Sequence, residues 1–181
     1  MKFMVVENFF NNFSQIQDEF KKIERFDYEE HPDIKPKLQD KAFLKYKWPG
    51  QRSLDLKNTN RFLTALFLKE YEEKFRDFFD EKLGFAIYTH LRLKDTNKED
   101  FLHKDTPDST YSLLVYLSET NLESGTAIYP DEEDTPSTTV GFVQNRAVLF
   151  RGEQRHKSIN TYMQFWMHFW RPLAAFLMSF G

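Results

Sequence analysis

The stretch "FLHKDTPDSTYSLLVYL", residues 101–117, places a histidine and an aspartate two positions apart, just ahead of a long apolar run. Residues i and i+2 of a strand point to the same face, so His103 and Asp105 can both reach one ion while Lys104 turns away. Imidazole and carboxylate are both common ligands of divalent metals. The stretch therefore predicts a metal site at the start of a strand, and a third ligand has to come from elsewhere.

A third candidate ligand lies far along the chain, in "VLFRGEQRHKSINTY", residues 148–162. His156 follows a polar turn in this stretch and begins another predicted strand. Two imidazoles and one carboxylate on one face of a metal leave the opposite coordination positions open. The other histidines are predicted in ordinary roles: His31 solvated in a loop, and His90 and His168 in packing or hydrogen bonding.

The second half of the chain consists of short strand-like runs separated by turn residues. They are "FAIYTHLRL", "TYSLLVYLS", "GTAIYP", "STTVGFV", "RAVLFRG", "HKSINTY" and "MQFWMHFW", all between residues 85 and 171. Many short strands after a helical N-terminal third predict an α+β, mainly β fold of the sandwich or jelly-roll type. In the last run, Gln164 and every second residue after it are predicted to share one face.

The first third of the chain carries helical patterns. "FMVVENFF", residues 3–10, predicts a strand, and Ser14 with Gln17 has the spacing of a capping box for a helix over 14–26. A second apolar stripe predicts a helix over 61–83, with Gly84 at the position of its C-terminal cap. We expect both helices to brace the sheet from outside.

The length of 181 residues predicts one domain. We divide it into a helical support region (1–84), a jelly-roll core (85–171) and a C-terminal tail (172–181). The net charge of −3 lacks the strongly basic balance of proteins that hold nucleic acid by its phosphates. We therefore expect no nucleic-acid partner.

The chain contains no cysteine, which excludes disulfides, zinc fingers, iron–sulfur clusters and thiol nucleophiles. Its N-terminus lacks the continuous apolar region and cleavage site of a signal peptide. No run approaches the roughly 18 apolar residues of a membrane span. These features predict a soluble, cytoplasmic protein without a membrane partner.

Five pieces of sequence follow one another in a characteristic order: "HKD" (103–105), "YSLLVYLSE" (111–119), "SGTAIY" (124–129), "NRAVLF" (145–150) and "HKSINT" (156–161). In this order they resemble the iron(II)/2-oxoglutarate-dependent dioxygenases, particularly the prolyl-4-hydroxylase-like branch. The resemblance spans about half of the chain, residues 85–171. It implies a double-stranded β-helix, the jelly roll of this family, braced by the N-terminal helices.

The resemblance also implies a function. His103, Asp105 and His156 would be the catalytic residues and the ligands of Fe(II), with 2-oxoglutarate and O₂ as cosubstrates. The reaction would hydroxylate a C–H bond of a peptide or small-molecule substrate and release succinate and CO₂.

One position departs from the family pattern. Members usually place an arginine or lysine on the strand after the distal histidine, where it pairs with the far carboxylate of 2-oxoglutarate. Here that position falls at or near Gln164, which carries no charge. Other groups that can replace the basic residue are Arg171, which we expect first, Tyr111, which we expect second, and Arg92, Arg155 and Tyr88.

Two other classes of protein remain open on the sequence. One is a cupin-like metal enzyme that does not use 2-oxoglutarate, which Gln164 favours. The other is a non-catalytic jelly-roll binding protein, against which the complete set of three ligands argues.

Two further segments each have two interpretations. "KWPGQRS", residues 47–53, is either a type II turn or an active-site loop in which Trp48 and Arg52 contact substrate. "PDEEDTP", residues 130–136, is either a solvated acidic loop or a calcium site.

Overall fold

The computed structural model describes residues 3–40, 47–78, 84–92, 101–105, 109–159 and 165–172. Within these ranges the chain is mainly β, with two antiparallel sheets and a few helices near the N-terminus. The mainly β prediction with N-terminal helices is thereby confirmed. No helix in these ranges is long and apolar enough to cross a membrane.

The larger sheet has seven strands in the order β1-β8-β5-β10-β4-β3-β2, and the smaller has three in the order β7-β6-β9. The strands are β1 (Phe3–Val6), β2 (Phe26–Asp27), β3 (Gln51–Arg52), β4 (Ala86–Leu91), β5 (Ser109–Tyr116), β6 (Asn121–Ile128), β7 (Thr138–Phe142), β8 (Ala147–Arg151), β9 (His156–Ile159) and β10 (Phe165–Pro172). From β5 onward the chain crosses repeatedly between the two sheets. Consecutive strands therefore often lie in different sheets, and residues far apart in sequence become neighbours.

The two sheets face each other across an apolar layer. Tyr116 of β5 stacks on Phe142 of β7 with ring centroids 4.3 Å apart, and its hydroxyl donates to Oγ1 of Thr126 on β6 at 2.7 Å. Leu114 and Phe150 belong to the same buried cluster. The phenol of Tyr116 is buried without loss of hydrogen bonding, which avoids the cost of an unsatisfied polar group.

The opposite face of the larger sheet packs against the helices. Leu113 and Val115 of β5 lie in one buried cluster with Phe20 of the first helix and Phe67 of the main helix. The strand β5 is thus covered on both sides, because its alternate residues face either the helices or the smaller sheet. A strand buried on both faces reads as a continuous apolar run, which explains "YSLLVYL".

The helices are α1 (Phe13–Lys21), α2 (Leu56–Thr59) and α3 (Arg61–Lys74), with 3₁₀ turns at Lys35–Lys37 and Arg76–Phe78. The predicted helix over 14–26 therefore exists but ends at Lys21. Its capping box is wrong, because the N-cap residue is Asn12 and no side chain caps this end.

The predicted helix over 61–83 is also shorter than expected. Asn60 caps its start by accepting from the Leu63 amide at 3.0 Å, and the helix ends at Lys74. Phe75 leaves the helical conformation and is 1% exposed in the core, and Phe78 of the following turn packs on Tyr111. The apolar stripe thus continues beyond the end of the helix, and for this reason the sequence predicted too long a helix. The prediction that Gly84 caps this helix is wrong, because the helix ends at Lys74.

The short strands β2 and β3 extend the larger sheet beyond β4. Arg52 of β3 is paired with Phe26 of β2 on one side and with His90 of β4 on the other. Gly50 precedes β3 at a φ of +77°, and a Cβ there would lie 2.2 Å from the Leu91 carbonyl oxygen. Glycine is required at this turn, as the type II interpretation of "WPG" predicts.

Asn145 fastens the N-terminal segment to the turn between β7 and β8. Its side-chain Oδ1 accepts from the Phe10 amide at 2.8 Å, and its Nδ2 donates to the Phe10 carbonyl at 2.9 Å. Its backbone has a φ of +61°, which asparagine tolerates better than most residues. One residue thus holds both the turn and the segment that carries Phe9 and Phe10 into the core.

We predict that Asn145→Ala lowers the free energy of unfolding by about 2–4 kcal/mol, since it removes two buried hydrogen bonds and leaves a left-handed alanine. Asn145→Gly should cost less, because glycine adopts positive φ without strain. Denaturant unfolding measures both. Gln144→Ala is the matched control, and equal unfolding midpoints for all three variants would contradict the assignment.

Candidate metal centre

The three candidate ligands meet at one point, with one ligand atom from each of His103, Asp105 and His156 lying within 4.8 Å of the others. The backbone brings them together. His103 and His156 form an isolated antiparallel bridge, in which the His103 amide donates to the His156 carbonyl at 3.1 Å and the His156 amide donates back at 2.9 Å. The Asp105 amide also donates to the carbonyl of Gly152, in the turn between β8 and β9, at 3.0 Å. The segment 103–105 is therefore bonded both to β9 and to the turn before it.

Backbone carbonyls orient both imidazoles. His103 Nδ1 lies 2.8 Å from the Phe101 oxygen, and His156 Nδ1 lies 2.9 Å from the Gln154 oxygen. A carbonyl can only accept, so each neutral ring carries its proton on Nδ1 and presents the Nε2 lone pair. Both Nε2 atoms are 3.9 Å from Asp105 Oδ1. This distance is too long for a hydrogen bond, and a shared cation suits three converging lone pairs.

A buried serine fixes the carboxylate. Ser112 of β5 is fully buried, and its hydroxyl donates a hydrogen bond to Oδ2 of Asp105. The other oxygen, Oδ1, is the one that faces the histidines. The Asp105 and His156 side chains are only 9% and 4% exposed, so a bound cation would interact with them in a weakly screened environment. The donor set therefore fits a divalent metal with two imidazoles and one carboxylate.

The acidic loop 130–136 lies beside this centre. Arg155, next to His156, donates to the carbonyls of Pro130, Asp131 and Glu133 at 3.0–3.1 Å and to the Asp134 carboxylate at 2.9 Å. Lys104, between the other two ligands, forms an ion pair with Asp131 at 3.1 Å. Residues 131–136 are exposed, as expected for a solvated loop. Arg155 holds this loop next to the centre.

The structure places the other predicted residues differently. Tyr111 packs on Phe78 with ring centroids 5.2 Å apart, in the cluster that faces the helices, so it is not brought to the triad. Arg171 is paired with Tyr111 across β10 and β5, and its side chain lies outside what is described. Gln164 lies outside the described residues.

Tyr88 and Arg92 belong to the region of β4. Tyr88 lies within that strand, and Arg92 directly after it is 2% exposed. His90 is buried on the same strand, as expected for a packing residue. His31 is not solvated as predicted, since it is 2% exposed and its Nε2 lies 3.1 Å from the Ser53 carbonyl.

Sequence reasoning missed Ser112. A small polar residue within an apolar run, two positions before Leu114 and four before Tyr116, was the available signal. It shares its strand face with those two residues, which point toward the smaller sheet.

We predict that His103→Ala and His156→Ala each abolish Fe(II) binding while the protein stays folded, because each removes one of three ligands. Anaerobic Fe(II) titration measures binding, and circular dichroism measures the fold. Lys104→Ala is the matched control, since its side chain is 48% exposed and points to Asp131. Undiminished Fe(II) affinity in both histidine variants would refute the site.

We predict that Ser112→Ala weakens metal binding by about 10- to 100-fold, the usual effect of removing a group that orients a ligand. The carboxylate remains but loses the donor that fixes Oδ2. Ser124→Ala is the control, because Ser124 is also a buried serine but its hydroxyl accepts a hydrogen bond from Asn121 Nδ2, away from the three candidate ligands. Equal metal affinities in the two serine variants would show that the bond to Asp105 does not matter.

No family model matches the chain, and no curated protein matches it by sequence. Solved structures do. An oxidoreductase of the 2OG-Fe(II) oxygenase family from Burkholderia pseudomallei superposes with a TM-score of 0.65 at 11% identity, covering 96% of this chain and 85% of that one. HygX from Streptomyces hygroscopicus, with nickel and 2-oxoglutarate bound, gives 0.67 at 13% identity, covering 94% and 82%.

A prolyl-4-hydroxylase from Pseudomonas putida gives a TM-score of 0.57 at 14% identity, covering 96% of this chain and 94% of that one. Identities this low establish the fold, and the coverage extends over nearly the whole of this chain. The chain therefore has the fold of the 2OG-Fe(II) oxygenases, prolyl-4-hydroxylases among them, as the order of its motifs indicated.

Proposed function

We propose that this protein is an Fe(II)- and 2-oxoglutarate-dependent oxygenase that hydroxylates a C–H bond of its substrate and releases succinate and CO₂. The observation that carries the proposal is the convergence of His103, Asp105 and His156, with both imidazoles oriented through Nδ1. The fold shared with 2OG-Fe(II) oxygenases supports it.

We infer that the two sheets form a double-stranded β-helix, which is one specific kind of mainly β fold. The connectivity supports this inference, since β5, β8 and β10 lie in the larger sheet while β6, β7 and β9 lie in the smaller. The bridge between His103 and His156 adds a fourth segment to the smaller sheet. We also propose that residues 1–181 act as one domain, because a single buried cluster joins α1 and α3 to the larger sheet.

The residues of the chain have distinct roles in this proposal. His103, His156 and Asp105 hold the iron, and the Phe101 and Gln154 carbonyls keep each Nε2 available. When bound, Fe(II) supplies the centre at which 2-oxoglutarate and O₂ react to generate the oxidant. The rings of Phe101 and Phe150 lie 4.8 and 4.6 Å, centroid to centroid, from the rings of His103 and His156. The buried Phe150 limits the access of water on the side of His156.

The substrate class is either a peptide or a small molecule. HygX has been solved with hygromycin B bound, and the Pseudomonas putida neighbour is a prolyl-4-hydroxylase. Both neighbours share this fold with the present chain, which supports both a peptide and a small molecule as candidate substrates.

A second candidate is a metal-dependent enzyme that does not use 2-oxoglutarate. Gln164, at the position where a basic residue is expected, favours it. A neutral side chain pairs poorly with a buried carboxylate, because an unpaired charge in a protein interior is costly. The two candidates differ in whether 2-oxoglutarate binds to the iron.

Anaerobic addition of Fe(II) with and without 2-oxoglutarate distinguishes them. We expect 2-oxoglutarate to produce the weak visible charge-transfer band of an iron chelate in the native protein and not in His103→Ala. Aerobic samples should then form succinate. If 2-oxoglutarate leaves the spectrum of the Fe(II) protein unchanged and no succinate forms with a panel of peptides and metabolites, the second candidate is correct.

A further inference from the structure

Strand β3 carries an arginine, Arg52, whose side chain packs against two aromatic rings. The guanidinium carbon of Arg52 lies 4.1 Å from the ring centroid of Trp48 and 5.0 Å from that of Tyr88, so both rings hold it through cation–π contacts. The side chain of Arg52 makes no ion pair or hydrogen bond with any residue in the described ranges, and its Nε is buried without an acceptor there. The indole Nε1 of Trp48 is also buried without an acceptor.

A second partly buried arginine, Arg25, also has a buried Nε but differs from Arg52 at its terminal nitrogens. Burial lowers the pKa of both Arg25 and Arg52 to about 10, so both are charged at neutral pH. Arg25 satisfies its charge by donating to the carbonyls of Ile23 and Phe20, each at 2.9 Å. Among the residues that the structure describes, Arg52 has no comparable acceptor, and a partly buried charge without one is less stable than a paired charge. Arg25 therefore has a structural role, whereas Arg52 has donors that are available to a ligand.

The register of the sheet places Arg52 on the side of the metal centre. Arg52 is opposite His90, and the pairing continues across β10 to Tyr116 of β5. Ser112 is four residues from Tyr116 and therefore on the same face, and its hydroxyl holds Asp105. Electrostatics agree, since the Asp105 carboxylate is among the groups that raise the pKa of Arg52 against the effect of burial.

Asp105 is not the missing partner of Arg52. No ion pair joins the two side chains, and the two oxygens of Asp105 are directed to Ser112 and to the histidines. A planar guanidinium fixed between two rings is prepared to bind a carboxylate through two parallel hydrogen bonds. An indole N–H nearby supplies a further donor.

We propose that Arg52 and Trp48 receive a carboxylate group of a molecule bound at the metal centre. The proposal rests on the oxygenase function proposed above and names a chemical requirement of its ligands. Two sources can supply the carboxylate: the end of 2-oxoglutarate that is remote from the metal, or an acidic substrate.

The first experiment compares two ligands that differ only in this carboxylate. 2-Oxovalerate has the same 2-oxo acid end as 2-oxoglutarate but ends in a methyl group. Both are titrated anaerobically into the Fe(II) protein and followed by the charge-transfer band. If the carboxylate is that of 2-oxoglutarate, Arg52→Gln reduces the preference for 2-oxoglutarate by about 10- to 100-fold and leaves 2-oxovalerate binding unchanged.

The second experiment tests an acidic substrate. Glutarate and its neutral analogue glutaramide are titrated by calorimetry into the Fe(II) protein that already holds 2-oxoglutarate. If the carboxylate belongs to the substrate, Arg52→Gln weakens glutarate binding by a similar factor, does not change glutaramide binding, and does not change the preference in the first experiment.

Other variants separate charge from packing. Trp48→Phe keeps the ring and removes the N–H, and should weaken binding of the same carboxylate by about 3- to 10-fold. Arg52→Lys keeps the charge and loses the planar fork, so its effect should be smaller than that of Arg52→Gln. Arg151→Gln is the control for net charge, because Arg151 is 63% exposed and pairs with Glu153. Thermal unfolding checks that each variant is folded.

The proposal is overturned if Arg52→Gln is folded and changes neither the preference for 2-oxoglutarate nor the binding of glutarate. Failure of the oxygenase function looks different. In that case neither oxo acid produces the band in the native protein. The glutarate titration, repeated without 2-oxoglutarate, then still tests whether Arg52 receives a carboxylate.

Discussion

The structure depends on the pair of backbone hydrogen bonds between His103 and His156. These residues are far apart in sequence, and this bridge makes them neighbours. Because both bonds come from the main chain, the separation of the two imidazoles is set by strand pairing. The backbone carbonyls of Phe101 and Gln154, each hydrogen-bonded to an imidazole Nδ1, then need only set the rotation of each ring. A ligand set built in this way is prepared before any metal arrives.

The metal ligands could be predicted from sequence because each lies at a recognisable place. His103 and Asp105 have the alternate spacing of residues on one face of a strand, and His156 is the first residue of another strand. The pairing of these two segments then brings the three side chains together. The strands of residues 85–171 were equally clear, since apolar runs alternate with turn residues. Helix lengths were not clear, because Phe75 and Phe78 continue an apolar pattern in a segment that has already left the helix.

Tertiary partners could not be predicted. The role of Ser112 depends on which carboxylate faces it across the space between two segments, and its position in "YSLLVY" does not specify that carboxylate. Tyr111 is a residue that was predicted at the site but lies elsewhere. It lies next to Ser112 in sequence, but the period of two along a strand sends it to the helices. One position along the strand therefore separates Ser112, which faces the metal centre, from Tyr111, which faces the helices.

The position of β10 has a consequence for how the chain is made. This strand comes last among those described, yet it lies in the middle of the larger sheet, between β5 and β4. Without it, the sheet consists of two unconnected halves, β1-β8-β5 and β4-β3-β2. During synthesis the ribosome must therefore release residues 165–172 before the halves can join, and His156 is already present by then. Assembly of the larger sheet therefore waits for this late strand, and a truncation that removes β10 divides the sheet through its centre.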